Sequence, residues 1–150
     1  MQKTSLLISI LSVVMLIGAT LGYCADLDGR NDARLNSAIE DFIRYQERQD
    51  YEGVWRLLSR SMRDGNHNDP AVYEKYLRSY GFHPGSFAIE KTVKTENIAL
   101  VTVKVTYVDN SSGQNLGSAI EEWRFVQENG SWFFDYYRTL NEFEAPAKKQ

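Results

Sequence analysis

Cysteine is almost missing from this chain: its 150 residues contain one, Cys24. A lone cysteine excludes an internal disulfide framework, a thiolate metal site and a dithiol redox pair. Histidine is nearly as scarce, with only His67 and His83. Neither has the ligand spacing of a metal site. A basic stripe is missing too. The net charge is −3, and Lys148-Lys149 is too short to make a basic tail. Nucleic acid is therefore excluded as a partner, because phosphate neutralisation supplies most of the affinity of such binders. No Gly-rich phosphate loop and no nucleophile elbow occurs. No cofactor is expected.

A long hydrophobic run is also lacking. Leu6 to Ile17 (LLISILSVVMLI) is apolar but falls short of the roughly 20 residues that a membrane span needs. With Lys3 before it and Gly18, Ala19, Thr20 and Gly22 after it, the segment reads as a secretory signal over residues 1–25. One domain, 26–150, then follows, exported to the periplasm or secreted. Leu21-Gly22-Tyr23-Cys24 resembles a lipobox, with Tyr23 where a small residue is expected. Membrane attachment follows only if Cys24 is lipidated, and soluble export is the preferred reading. A mature chain starting at Asp26 loses Lys3 and Cys24, so its hydrophobic core must hold it without staples.

What the chain does have is aromatic residues, 13% of the total. Each ring buries a large area, so few are needed to fill a small core. Leu35, Ala38, Ile39, Phe42 and Ile43 recur at helical spacing, with Asp32 as a candidate cap. Asp50 opens a second short helix carrying Tyr51, Val54, Trp55 and Leu58 on one face. The polar stretch Ser59 to Asn68 reads as a loop. Asp69-Pro70 starts a third helix, faced by Tyr73, Tyr76, Leu77 and Tyr80 and stopped at Gly81. From Ser86 the period becomes two, through Phe87, Ile89 and Val93 and then Ala99, Val101, Val103, Val105 and Tyr107. Helices first and strands afterwards define an α+β chain.

Asn129-Gly130 marks a two-residue hairpin turn, since both positions must adopt positive φ in a type I′ turn. Counting back from that turn sets Phe125 opposite Phe134, Trp123 opposite Tyr136 and Glu121 opposite Arg138 on one face. Arg124 then meets Asp135, and Glu122 meets Tyr137, on the other. Both arginines would keep their acids ionised.

The order of elements, with RQDYEGVWRLLS at the second helix and WRFVQENGSWFFD at the last hairpin, resembles the nuclear transport factor 2-like superfamily over Asn31 to Tyr137. The resemblance implies a cone or half-barrel: N-terminal helices packed in the concavity of a strongly curved antiparallel sheet. It implies a pocket at the wide end and a homodimer through the sheet. Catalytic members place an Asp or His from the segment after the second helix into the pocket. Here that segment offers Asp64, His67 and Asp69, without a matching motif.

The sequence reading is thus an exported, non-enzymatic domain that binds a small apolar or aromatic ligand or a protein partner. Trp55, Tyr76, Trp123, Tyr136 and Glu121 are the expected pocket residues. One alternative is acid/base catalysis in the same pocket by Glu121 or by Asp64, His67 or Asp69. Another is an interaction module whose pocket is filled by its own side chains.

Overall fold

The computed structural model describes residues 33–141. The signal segment, Cys24, the Asp32 cap and Lys148-Lys149 lie outside the described residues. The chain divides into two compact units, residues 1–36 and 37–150, and the architecture below is that of the second. Among the described residues no helix is long and apolar enough to cross a membrane.

Helix α1 covers residues 33–47, of which 37–47 belong to this second unit. Its apolar spacing puts Ile39 and Phe42 on one buried face. Helix α2 (Tyr51–Arg56) begins where the Asp50 carboxylate accepts a hydrogen bond from the Gly53 amide at 2.9 Å. The two helices approach so closely that a Cβ on Gly53 would overlap the Tyr45 ring. Helix α4 (Pro70–Arg78) is capped by Asp69, with proline at its first position, and Gly81 turns the chain out of it at φ +72°.

Between them the expected loop is in part a helix, α3 (Arg60–Gly65). The Ser59 hydroxyl accepts from the Met62 amide at 3.1 Å, and the Glu128 carboxylate accepts from the Arg60 amide at 3.1 Å. With its first turn satisfied in this way, a polar sequence needs no apolar stripe to become helical. His67 and Asn68 follow in left-handed conformation and end the segment.

Four strands form one antiparallel meander: β1 (Phe82–Lys94), β2 (Ile98–Asp109), β3 (Asn115–Glu128) and β4 (Ser131–Thr139). The sheet does not close on itself. β1 starts earlier than periodicity suggests, at Phe82 rather than Ser86. Pro84 is tolerated because β1 is an edge strand, and a register shift absorbs it between Pro84 and Ser86. A second shift between Ile89 and Lys91 sets Val93 opposite Leu100, off the buried face, and both Ile89 and Val93 are exposed.

The helices pack on one face of the curved sheet. Ala99, Val101, Val103 and Val105 of β2 are buried there, beside Ala119, Trp123 and Phe125 of β3 and Trp132 and Phe134 of β4. Phe42 is the plug: its ring stacks on Phe134 at 4.2 Å and meets Trp123 edge-on at 5.3 Å. Burying a ring of that size contributes roughly 1.5–3 kcal/mol. This is the α+β arrangement the sequence pattern implies.

The hairpin turn forms at Asn129-Gly130, with φ of 50° and 79°. The register holds through Phe125 and Phe134, then slips. Asp135 is left out of the ladder, so Arg124 pairs with Tyr136, Trp123 with Tyr137, Glu122 with Arg138 and Glu121 with Thr139. The expected partners of Trp123 and Glu121 are therefore corrected by one residue. The bulge has a cause outside the hairpin. Residues 57–59 run along the free edge of β4, where the Ser59 amide donates to the Phe134 carbonyl and the Phe134 amide to the Leu57 carbonyl. Asp135 turns its carboxylate to this segment and accepts from the Ser59 hydroxyl at 2.7 Å.

Candidate functional site

The helices do not fill the concave face completely. A cavity of about 470 Å³ lies between the sheet and α4. Its floor is Phe42, Val105, Ala119, Trp123 and Phe134, all presented by the periodicities already described. One wall is the start of β1, through Phe82, Pro84 and Phe87. The opposite wall is Tyr73, Tyr76, Leu77 and Tyr80 from α4 and the turn after it. Gln46, Gln49, Tyr51 and Met62 line the side nearest the short helices.

Rings touch one another around the rim. Tyr76 and Tyr80 are 5.2 Å apart, Tyr80 and Phe82 5.5 Å, and Phe82 and Tyr107 5.3 Å between ring centres. Tyr80 donates its hydroxyl hydrogen to the Tyr76 oxygen, which raises the Tyr80 pKa. Tyr73 faces inward and is buried, and that burial raises its pKa as well.

Glu121 is the only carboxylate among the described lining residues, and it is 4% exposed. The Tyr107 hydroxyl donates to one of its oxygens, and the Trp123 indole Nε1 donates to the other at 2.7 Å. Its inward position follows from the alternation along β3, with Ala119, Trp123 and Phe125 on the same face, and the slip in β4 decides what stands opposite it. Arg138, expected opposite it, instead pairs with Glu122 at 2.8 Å on the outer face. Arg124 is likewise outside, 3.5 Å from Asp135. Burial pushes the Glu121 carboxyl above the ordinary carboxylate range, while the bonds from Tyr107 and Trp123 pull it back. The Tyr107 hydroxyl is raised in turn, first by burial and then by the neighbouring Glu121 charge.

Four of the five expected pocket residues, Tyr76, Trp123, Tyr136 and Glu121, lie in the cavity wall. Tyr136 is at its edge, with its ring 5.6 Å from the Arg124 guanidinium, and Tyr137 takes the place opposite Trp123. Trp55 is not in the wall; its ring packs 5.9 Å from that of Tyr73. Asp64, His67 and Asp69 are exposed and stand apart from the cavity. Asp64 accepts from Asn68 at 2.8 Å, and Asp69 caps α4 by accepting from the Ala71 amide at 2.9 Å. His83 belongs to β1 rather than a loop, touches the cavity and is 2.6 Å from the Asn110 side-chain oxygen.

Sequence reasoning passed over Tyr107, Tyr137, Phe82 and Phe87 as site residues. The alternation along β2 already put Tyr107 on the core face, two inward positions beyond the fully buried Val103. Tyr137 carried no such signal, because only the bulge turns it inward. Among the described residues no group of acids, histidines or cysteines is arranged to hold a metal.

No family model matches the chain, and no curated protein does. Solved structures do resemble it. A domain of unknown function with a cystatin-like fold from Nostoc punctiforme superposes with a TM-score of 0.57 at 8% identity, over 76% of this chain and 78% of its own. A protein of unknown function from Mycobacterium tuberculosis gives 0.55 at 15%, over 79% and 75%. An NTF-2 like protein of unknown function from Burkholderia xenovorans gives 0.51 at 11%, over 78% and 91%. The fold is thus the NTF2-like, cystatin-like α+β fold. At such identities the likeness concerns the fold alone.

Proposed function

We propose that this protein is a binding protein for a small, largely apolar molecule with an aromatic or aliphatic body. One observation carries the reading: an aromatic-walled cavity of about 470 Å³ with a few polar handles. That size and that mix of walls are those of small-molecule sites. Export belongs to the same proposal, supported by the apolar run Leu6 to Ile17 and its flanks.

A second reading, acid/base chemistry at Glu121, is favoured by the placement of that carboxyl in the cavity wall. Binding is preferred because Glu121 is the only carboxylate among the described lining residues, so no second acid stands beside it to share proton transfer. The loop acids that could assist it face solvent.

Native mass spectrometry of protein purified from its own host tests both parts of the proposal. The expected result is a processed chain carrying a small-molecule adduct. An unprocessed, adduct-free mass, together with no binding of the neutral fluorophore N-phenyl-1-naphthylamine, would overturn it.

A further inference from the structure

Resting on the ligand-binding reading, we infer that the cavity takes an organic cation: an amine or quaternary ammonium on an apolar body, its positive centre held at Glu121. Three features of the wall converge on that chemistry.

The first is charge. Glu121 is buried, and no lysine or arginine lines the cavity among the described residues. The two nearby arginines are spent on Glu122 and Asp135 across the sheet. A buried carboxylate is costly unless something opposes its charge. Tyr107 and Trp123 are neutral donors, so they orient the group without cancelling it.

The second is capacity. A carboxylate offers about four lone-pair directions. Two are used, one on each oxygen, and each oxygen can still accept a hydrogen bond or face an ammonium group. The donors also come from the chain side, Tyr107 on β2 and Trp123 two residues along β3, so they fix the carboxylate as part of the cavity wall.

The third is the surrounding rings. Tyr107, Trp123, Tyr137, Phe82, Phe87 and Tyr80 all border the cavity. Aromatic faces carry negative potential and attract a desolvated cation, most strongly where water is excluded. A ring-lined space with one negative charge favours a cation on an apolar body. It repels an anion, and a neutral molecule can offer the carboxylate a hydrogen bond but no opposing charge.

The test compares benzyltrimethylammonium, its uncharged carbon isostere neopentylbenzene, and benzenesulfonate on the full chain, read by displacement of N-phenyl-1-naphthylamine. The cation should bind about tenfold or more tightly than neopentylbenzene, and benzenesulfonate weakest of the three. This comparison needs no variant. In Glu121→Gln the preference for the cation should disappear while neopentylbenzene affinity holds. Equal or tighter binding of neopentylbenzene to the unaltered chain overturns the cation assignment and leaves the ligand-binding reading standing. Failure of the fluorophore itself to bind overturns both.

Discussion

Ser59, fully buried ahead of α3, donates its hydroxyl hydrogen to Asp135, the residue of β4 that the ladder leaves out. The same oxygen accepts from the Met62 amide. One side chain thus caps a helix and fixes a bulge 76 residues away in sequence.

Ser59→Ala removes both interactions and leaves the Asp135 carboxylate short of a donor. Losing a cap and a partly buried charge-assisted bond should cost about 1–3 kcal/mol. Urea unfolding of Ser59→Ala, Asp135→Asn and the double variant checks it. The two sites should be non-additive, and additive losses would mean that the residues do not act on each other.

Gly53→Ala separates two opposed effects. Helix propensity alone favours alanine by about 1 kcal/mol. Overlap of the new methyl with the Tyr45 ring should outweigh that gain and destabilise the protein by about 1–3 kcal/mol. Adding Tyr45→Ala should return the stabilising sign of the substitution. A more stable single variant would show that α1 and α2 can part at no cost.

Phe134→Ala removes the ring that stacks on Phe42 and abuts Trp123 at 6.0 Å. A loss of about 3–5 kcal/mol is expected, the range for buried aromatic truncations. Chemical denaturation measures it, and a loss below about 1 kcal/mol would deny Phe134 a place in the core.

Glu121 gives a pH dependence of definite sign. Its folded pKa is raised, chiefly by burial, so between the unfolded and folded values the native state holds more protons. Stability contributed by this group is present below the unfolded value and falls as pH rises through the folded one. Tyr107, Trp123 and Tyr137 surround it, and the two tyrosine hydroxyls stay protonated throughout that window because their own pKa values are raised. In Glu121→Gln the amide can still accept from Trp123 and donate to Tyr107. Thermal melts should show the variant gaining on the parent as pH increases from mildly acid to neutral. A constant difference would place the titration of Glu121 elsewhere.

The sequence made some of this legible and not the rest, for physical reasons. The α1 face, the Asp50 and Asp69 caps, the buried face of β2 and the Asn129-Gly130 turn are local features. Each is specified by residues within a few positions of one another. α3 escaped periodicity because side-chain caps rather than an apolar stripe support it. The start of β1 was hidden by Pro84-Gly85, which reads as a turn unless a neighbouring strand absorbs it. The parity of β3 put Glu121 on the cavity face, but what stands opposite it was illegible, since counting from the turn presumes an unbroken ladder. The break at Asp135 is imposed by Leu57 to Ser59, which no argument confined to the hairpin includes.

The unpaired residue in β4 therefore acts as an index mark between two adjacent acids. As built, Glu122 pairs with Arg138 on the outer face and Glu121 faces the cavity with Thr139, not an arginine, opposite it. Were Asp135 drawn into the ladder opposite Arg124, every later residue of β4 would move by one and Arg138 would stand across from Glu121, setting a positive charge against the cavity carboxyl without a single substitution. The electrostatics of the cavity thus hang on whether one residue outside its wall is paired or bulged, a difference that comparing lining residues alone would never detect.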